Sequence, residues 1–192
     1  MPAAVLAGGA SRRMGAPKAA LPYGRTTLAE HQTSRLAAMF DPVWLVVRDT
    51  PDFSFGPARL LFDDDSERSA LSGLMRALAE TEDRVFVLAV DLPLLPDPVI
   101  RALAAASLTS GARALLPQTA GGLEPLAGVW RRAALSVAAE RAGAGDRSLR
   151  GLAAAVGAEA FPEAEWRRID PSGNAFANLN TVDDWAIARE RA

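Results

Sequence analysis

Between Gly8 and Lys18 the chain gathers three glycines, a serine hydroxyl and three cations, in the run Gly8-Gly9-Ala10-Ser11-Arg12-Arg13-Met14-Gly15-Ala16-Pro17-Lys18. Glycines at 8, 9 and 15 let the backbone turn tightly and bring its N–H groups close to an anion, while Ser11, Arg12, Arg13 and Lys18 add donors and positive charge. Such a set suits a triphosphate. The positive field is local: residues 1–29 hold Arg12, Arg13, Lys18 and Arg25 and no acid, although the chain as a whole carries a net charge of -2. Lys18 is the one lysine among 21 basic residues. A composition that uses arginine everywhere else puts a compact ammonium here, as reaching one particular oxygen would require.

Two familiar glycine loops do not fit. A Walker A loop needs a Gly-Lys-Ser/Thr ending, whereas Lys18 stands three residues after Gly15 and is followed by Ala19; the dinucleotide fingerprint fails because Gly8 and Gly9 are adjacent. The negative partners come later in the chain. Asp91 closes the apolar run Arg84 to Val90 and is followed by Pro93 and Pro96, which fix the chain after it, so it is a well-placed metal ligand. Asp63, first of the acids Asp63-Asp64-Asp65 with Glu67 beyond, closes Leu60-Leu61-Phe62 and is placed to contact a nucleotide, because open parallel sheets bind ligands at the carboxyl ends of their strands. With no cysteine and one histidine, disulfides, thiolate metal sites and multi-histidine zinc are excluded. A metal must then sit on oxygen, which favours Mg2+.

The run from Leu6 to Lys18, Leu-Ala-Gly-Gly-x-Ser-x-Arg-Met-Gly-x-x-Lys, resembles the signature of nucleotidyltransferases with the nucleotide-diphospho-sugar transferase fold, and specifically the molybdenum cofactor guanylyltransferase family. The similarity continues in Gly24-x-x-x-Leu28-x-x-His31, although a neutral histidine inside a helix reads as structural rather than catalytic. It continues in Ala70-Leu71-Ser72-Gly73-Leu74, similar to a Gly-Pro-Leu-Ala-Gly segment that in the family lies against guanine, with Ala70 and Ser72 in place of Pro and Ala. It ends in Asn178-Leu179-Asn180-Thr181, similar to the family's Asn-x-Asn-Thr-Pro-Glu-Asp motif with Val182 replacing Pro. The resemblance implies nucleotide contacts from Leu6, Ala7, Gly8, Gly9, Ser11, Arg13, Lys18, Asp63, Ser72, Gly73 and Asp91. It implies catalytic roles for Arg13, Lys18 and Asp91, Mg2+ on Asp91, and acceptor contacts from Asn178 and Asn180.

These residues need a frame. At 192 residues, 49% hydrophobic and 23% charged, the chain fits a single nucleotidyltransferase domain over residues 1–192. Apolar runs at Ala3–Ala7, Val43–Val47, Leu60–Phe62, Arg84–Val90 and Ala112–Leu116 read as buried strands. Helical patterns alternate with them. One runs from a Thr26 or Thr27 cap to Met39, one from Ala70 to Ala79, one from an Asp97 cap to Ala106, one from Arg131 to Ala142, one from an Asp146 or Ser148 cap to Ala155, and a closing one covers Val182–Arg189. Leu21-Pro22-Tyr23-Gly24 reads as a turn, Leu123 to Trp130 as extended, and Trp166–Ile169 as a strand. The alternation predicts a three-layer α/β/α, Rossmann-like domain with a mostly parallel sheet, of nucleotide-diphospho-sugar transferase type.

The function implied by the resemblance is transfer of GMP from GTP to molybdopterin with release of pyrophosphate. Molybdoenzyme apoproteins or other cofactor-biosynthesis proteins stand as further partners. An acceptor phosphate is already anionic, so no serine, cysteine or histidine nucleophile is required. Two alternatives remain: a cytidylyltransferase acting on molybdopterin or another phosphorylated acceptor, and a non-catalytic nucleotide- or cofactor-binding chaperone. Gly9 separates the first, since cytidylyl relatives usually read Leu-Ala-Ala-Gly. Retention of both Lys18 and Asp91 speaks against the second. The net charge argues against nucleic-acid binding, and no apolar run approaches a membrane span, so the expected location is the cytoplasm.

Overall fold

The computed structural model describes residues 1–7, 17–63 and 69–177. Gly8, Gly9, Ser11, Arg13, Asn178 and Asn180 lie outside the described residues, as do Asp64, Asp65, Glu67 and the expected closing helix. Strand β1 (Ala3–Leu6) is followed, beyond the glycine-rich stretch, by a 3-10 turn at Lys18–Ala20 and a small hairpin, β2 (Pro22–Tyr23) and β3 (Thr26–Thr27), where the sequence suggested only a turn. Then come α1 (Leu28–Ala37), β4 (Val43–Val47), β5 (Arg59–Phe62), α2 (Ala70–Glu80), β6 (Arg84–Ala89) and α3 (Asp97–Thr109). The second half holds β7 (Ala114–Thr119), β8 (Gly122–Leu123), β9 (Ala127–Arg131), α4 (Leu135–Gly143), α5 (Leu149–Ala155), β10 (Glu159–Phe161) and α6 (Glu163–Ile169).

The main sheet runs β10-β7-β9-β6-β1-β4-β5, with the short β8 paired to β7. Its left and right halves are parallel, β9 runs antiparallel between β6 and β7, and the short β8 is antiparallel to β7. Central strands β1 and β4 are apolar at every position, and β6 and β9 at all but one end, because both faces are covered. Ala3, Val5, Leu45, Val47, Phe86 and Leu88 point into a core shared with α1, α3 and α6. Ala4, Leu6, Trp44, Val46, Val85 and Val87 point the other way, into a core with α2, α4 and α5. The expected three layers are present. β9 packs so tightly that a side chain at Gly128 would force its neighbours to move: an ideal Cβ there would lie 2.7 Å from the Leu115 carbonyl oxygen and 2.7 Å from Leu116 Cδ2.

Local chemistry explains where elements begin. The Thr27 hydroxyl caps α1 by accepting from Glu30 N–H at 3.0 Å, Ser69 caps α2 and Ser148 caps α5. Asp97 does not cap α3 as expected; Pro96 precedes the helix and the Asp97 carboxylate instead accepts from Arg35 Nη2 at 2.7 Å and Nε at 2.9 Å. The expected helix from Arg131 starts later, as a 3-10 turn at Arg132–Ala134 leading into α4. Trp166–Ile169 is helix, not strand. Pro162 at the start, Glu163 and Glu165 in the first turn and Arg167 and Arg168 in the last suit a short helix, and Glu163 pairs with Arg167 at 2.6 Å. One buried residue, Trp166, anchors it by donating from Nε1 to Gln118 O at 2.8 Å. Among the described residues no helix is long and apolar enough to cross a membrane.

Candidate functional site

The carboxyl ends of β6, β1, β4 and β5 line up along one rim, and each delivers a polar group. After β6, Asp91 accepts a 2.6 Å hydrogen bond from Lys18 Nζ at the end of the stretch that leaves β1; the two side chains are 23% and 21% exposed. After β4 stands Arg48, with Nη1 3.9 Å from Asp63 Oδ2. After β5, Asp63 is 8% exposed and accepts from the Ser72 hydroxyl at 2.7 Å. Asp63 is separated from Asp91 by three strand intervals, roughly 14 Å at about 4.8 Å each, comparable with the reach of a nucleotide from its base to its phosphates.

The structure brings Lys18 and Asp91 together, and separately Asp63 and Ser72. It gives Leu6 and Ala7 structural work as well: Leu6 O accepts from Val90 N–H at 3.1 Å and Ala7 N–H donates to Val46 O at 3.0 Å, so these backbone groups lock the three strands that carry the rim. Gly73, in the first turn of α2, faces the Leu6 and Val46 side chains, with an ideal Cβ 3.7 Å from their methyl carbons. The first turn of α2 thus rests on the ends of β1 and β4, next to Asp63.

His31 is not part of this rim. It faces Tyr23, ring centroids 4.5 Å apart, and borders a cavity of about 430 Å³ between α1, α3 and the segment after α6. Burial, and then the positive charge of Arg35, push its pKa down to about 4 against an opposing pull from Asp97. It is neutral near pH 7, which suits a wall residue.

Sequence reasoning passed over Arg48 and Arg150 and read Glu124 only as part of the extended Leu123–Trp130 segment. Arg48 was legible as the first polar residue after a buried strand. Arg150 Nη2 lies 3.8 Å from where a Cβ of Gly121 would be. Glu124 is half-buried, and burial raises its pKa; the Leu126 N–H bond and Arg150 act to lower it and Asp91 to raise it. Among the described residues no three acids or histidines cluster as a self-sufficient metal site. A lone rim carboxylate such as Asp91 has the oxygen chemistry for a cation that takes one or two protein oxygens and fills its shell from phosphates and water, the habit of Mg2+.

Comparison with known proteins agrees with this geometry. A family model described as the MobA-like NTP transferase domain matches residues 3–160. The molybdenum cofactor guanylyltransferase of Syntrophotalea carbinolica is 31% identical over 185 residues, covering 95% of this chain and 88% of the relative. A probable molybdenum cofactor guanylyltransferase of Chloroflexus aggregans is 32% identical, covering 96% and 91%. Among solved structures, molybdopterin-guanine dinucleotide biosynthesis protein A from Archaeoglobus fulgidus superposes with a TM-score of 0.85 at 23% identity, covering 100% of this chain and 98% of that one. The 2-C-methyl-D-erythritol 4-phosphate cytidylyltransferase of Thermus thermophilus shares the fold at a TM-score of 0.68 and 18% identity, covering 100% and 98%. The family model over residues 3–160, together with relatives 31% and 32% identical over most of both chains, establishes that this chain belongs to the MobA-like NTP transferase family.

Proposed function

We propose that this chain transfers GMP from GTP to molybdopterin, in the cytoplasm and as one domain over residues 1–192. An oxygen of the acceptor's terminal phosphate attacks the α-phosphorus, the bond from that phosphorus to the bridging oxygen breaks, and pyrophosphate leaves with the electron pair. The obstacle is negative charge crowded around the α-phosphorus, so catalysis is positioning and neutralisation. The Gly8 and Gly9 amides and the Ser11 hydroxyl hold phosphate oxygens, while Arg13 and Lys18 balance the charge of the departing pyrophosphate. Asp91 holds Mg2+, which when bound supplies positive charge to the phosphate oxygens. Asp63, Ser72 and Gly73 bound the nucleoside end, and Asn178 and Asn180 meet the acceptor.

The observation that carries this reading is the Lys18–Asp91 pair, which puts the sole lysine and a strand-end carboxylate 2.6 Å apart on the sheet rim. The test offers GTP, CTP, ATP and UTP in parallel, with Mg2+ and molybdopterin, and follows pyrophosphate and the dinucleotide product by mass. GTP should be the substrate used. A preference for CTP would make the chain a cytidylyltransferase, and nucleotide binding without product would make it a carrier.

A further inference from the structure

The connection from β8 to β9 carries a carboxylate that the proposed transfer leaves unused. Three consecutive residues there are each tied to a different partner. Glu124 N–H donates to Pro117 O at 2.9 Å, the buried Trp130 indole donates to Pro125 O at 2.9 Å, and Ala89 N–H donates to Leu126 O at 2.7 Å. The backbone under Glu124 is therefore fixed. The β6–β9 register pairs Leu88 with Ala127, and the Ala89–Leu126 bond carries the count one step further. Continued through Val90 and Pro125, it brings Glu124 abreast of Asp91, on the side of β6 away from β1. Asp91 is indeed among the charges that act on the Glu124 carboxyl.

Two carboxylates brought together in a partly desolvated place repel each other unless cations intervene. Lys18 meets Asp91. Glu124 forms no ion pair among the described residues, although the charge of Arg150 acts on it, and the one hydrogen bond its carboxylate accepts among them is long, 3.3 Å from Leu126 N–H to Oε1. We propose that Glu124 is a second oxygen donor to the divalent cation held at Asp91, placed on the side of β6 away from β1. This inference rests on the nucleotidyltransferase reading, and in particular on a cation at Asp91.

The competing role for Glu124 is to shape the turn through Leu126, and Glu124→Gln separates the two because the amide oxygen still accepts that bond while the charge is gone. Mn2+ alone, titrated into the full chain and read by electron paramagnetic resonance, reports affinity without turnover. Glu124→Gln and Asp91→Asn should each weaken Mn2+ binding by about tenfold or more, a usual loss when a group supporting a metal is removed. Glu124→Asp, which keeps the charge on a shorter arm, should regain part of the affinity. Circular dichroism melts check that the variants fold; if Glu124→Gln melts early, its Mn2+ affinity is read at a temperature where it remains folded, and undiminished affinity there overturns the proposal. If Asp91→Asn loses affinity while Glu124→Gln stays within twofold of the wild type, Glu124 is a turn residue and the inference fails. If neither loses affinity, the cation at Asp91 fails with it.

Discussion

Lys18 and Asp91, 73 positions apart in sequence, are joined by a 2.6 Å bond that ties the end of the glycine-rich stretch to the end of β6. A single ion pair at the rim, even one partly buried, contributes modestly to stability, so its value lies in placing two opposite charges at the spot where, in the proposed reaction, phosphate oxygens and a cation meet. Lys18→Ala and Asp91→Ala should each lower turnover by about 10² or more, the usual cost of removing one preorganised electrostatic group, with little change in melting temperature. Pyrophosphate release by the purified, folded variants is the measurement; near-normal rates in both would remove the pair from the active site.

Ser72 donates to a carboxylate that is nearly closed off from solvent. Ser72→Ala leaves Asp63 short of a donor and should cost about 1–3 kcal/mol in urea unfolding, together with a raised KM for GTP. A stability loss with unchanged KM would make the Asp63–Ser72 contact purely architectural.

His31 gives stability a pH signature. Its folded pKa is depressed to about 4 from 6.5, so between those values the unfolded chain binds more protons than the folded one and stability falls as the pH is lowered through that window. Above about pH 6.5 the contribution is complete and constant. Urea midpoints taken from pH 7.5 down to 4.5 should decline less steeply in His31→Gln than in the wild type; parallel curves would show that the imidazole is freely solvated.

Gly128→Ala tests the packing of the reversed strand. The added methyl would meet the Leu115 carbonyl and Leu116 at 2.7 Å, one contact being with backbone that cannot swing away. Overpacking of this sort typically costs about 1–3 kcal/mol, and the strand it displaces also mounts Glu124. Chemical denaturation that matches the wild type would mean β9 can shift outward at no cost.

The strands β1, β4 and β6 were legible because a strand covered on both faces must be apolar throughout, and their ends pointed directly to Asp91 and Asp63. Lys18 was legible from its neighbours and from being the only lysine. Less could be read where the determining contact is distant. The helical state of Trp166–Ile169 depends on charge placement around one buried indole, which in seven residues gives no clear period. Asp97 has the chemistry of a cap but found a stronger partner in Arg35, 62 residues earlier. Glu124 acquires its neighbour Asp91 only because β9 runs against β6, a direction that no local pattern encodes.

That reversal has an outcome for how the rim is built. Parallel strands supply the rim from the residues beyond their carboxyl ends, but an inverted strand supplies it from the residues ahead of its amino end. The 117–126 segment therefore reaches the rim as a lip between β7 and β9, tied down by Trp166 at Gln118, by Trp130 at Pro125 and by Ala89 at Leu126, with no helical crossover behind it.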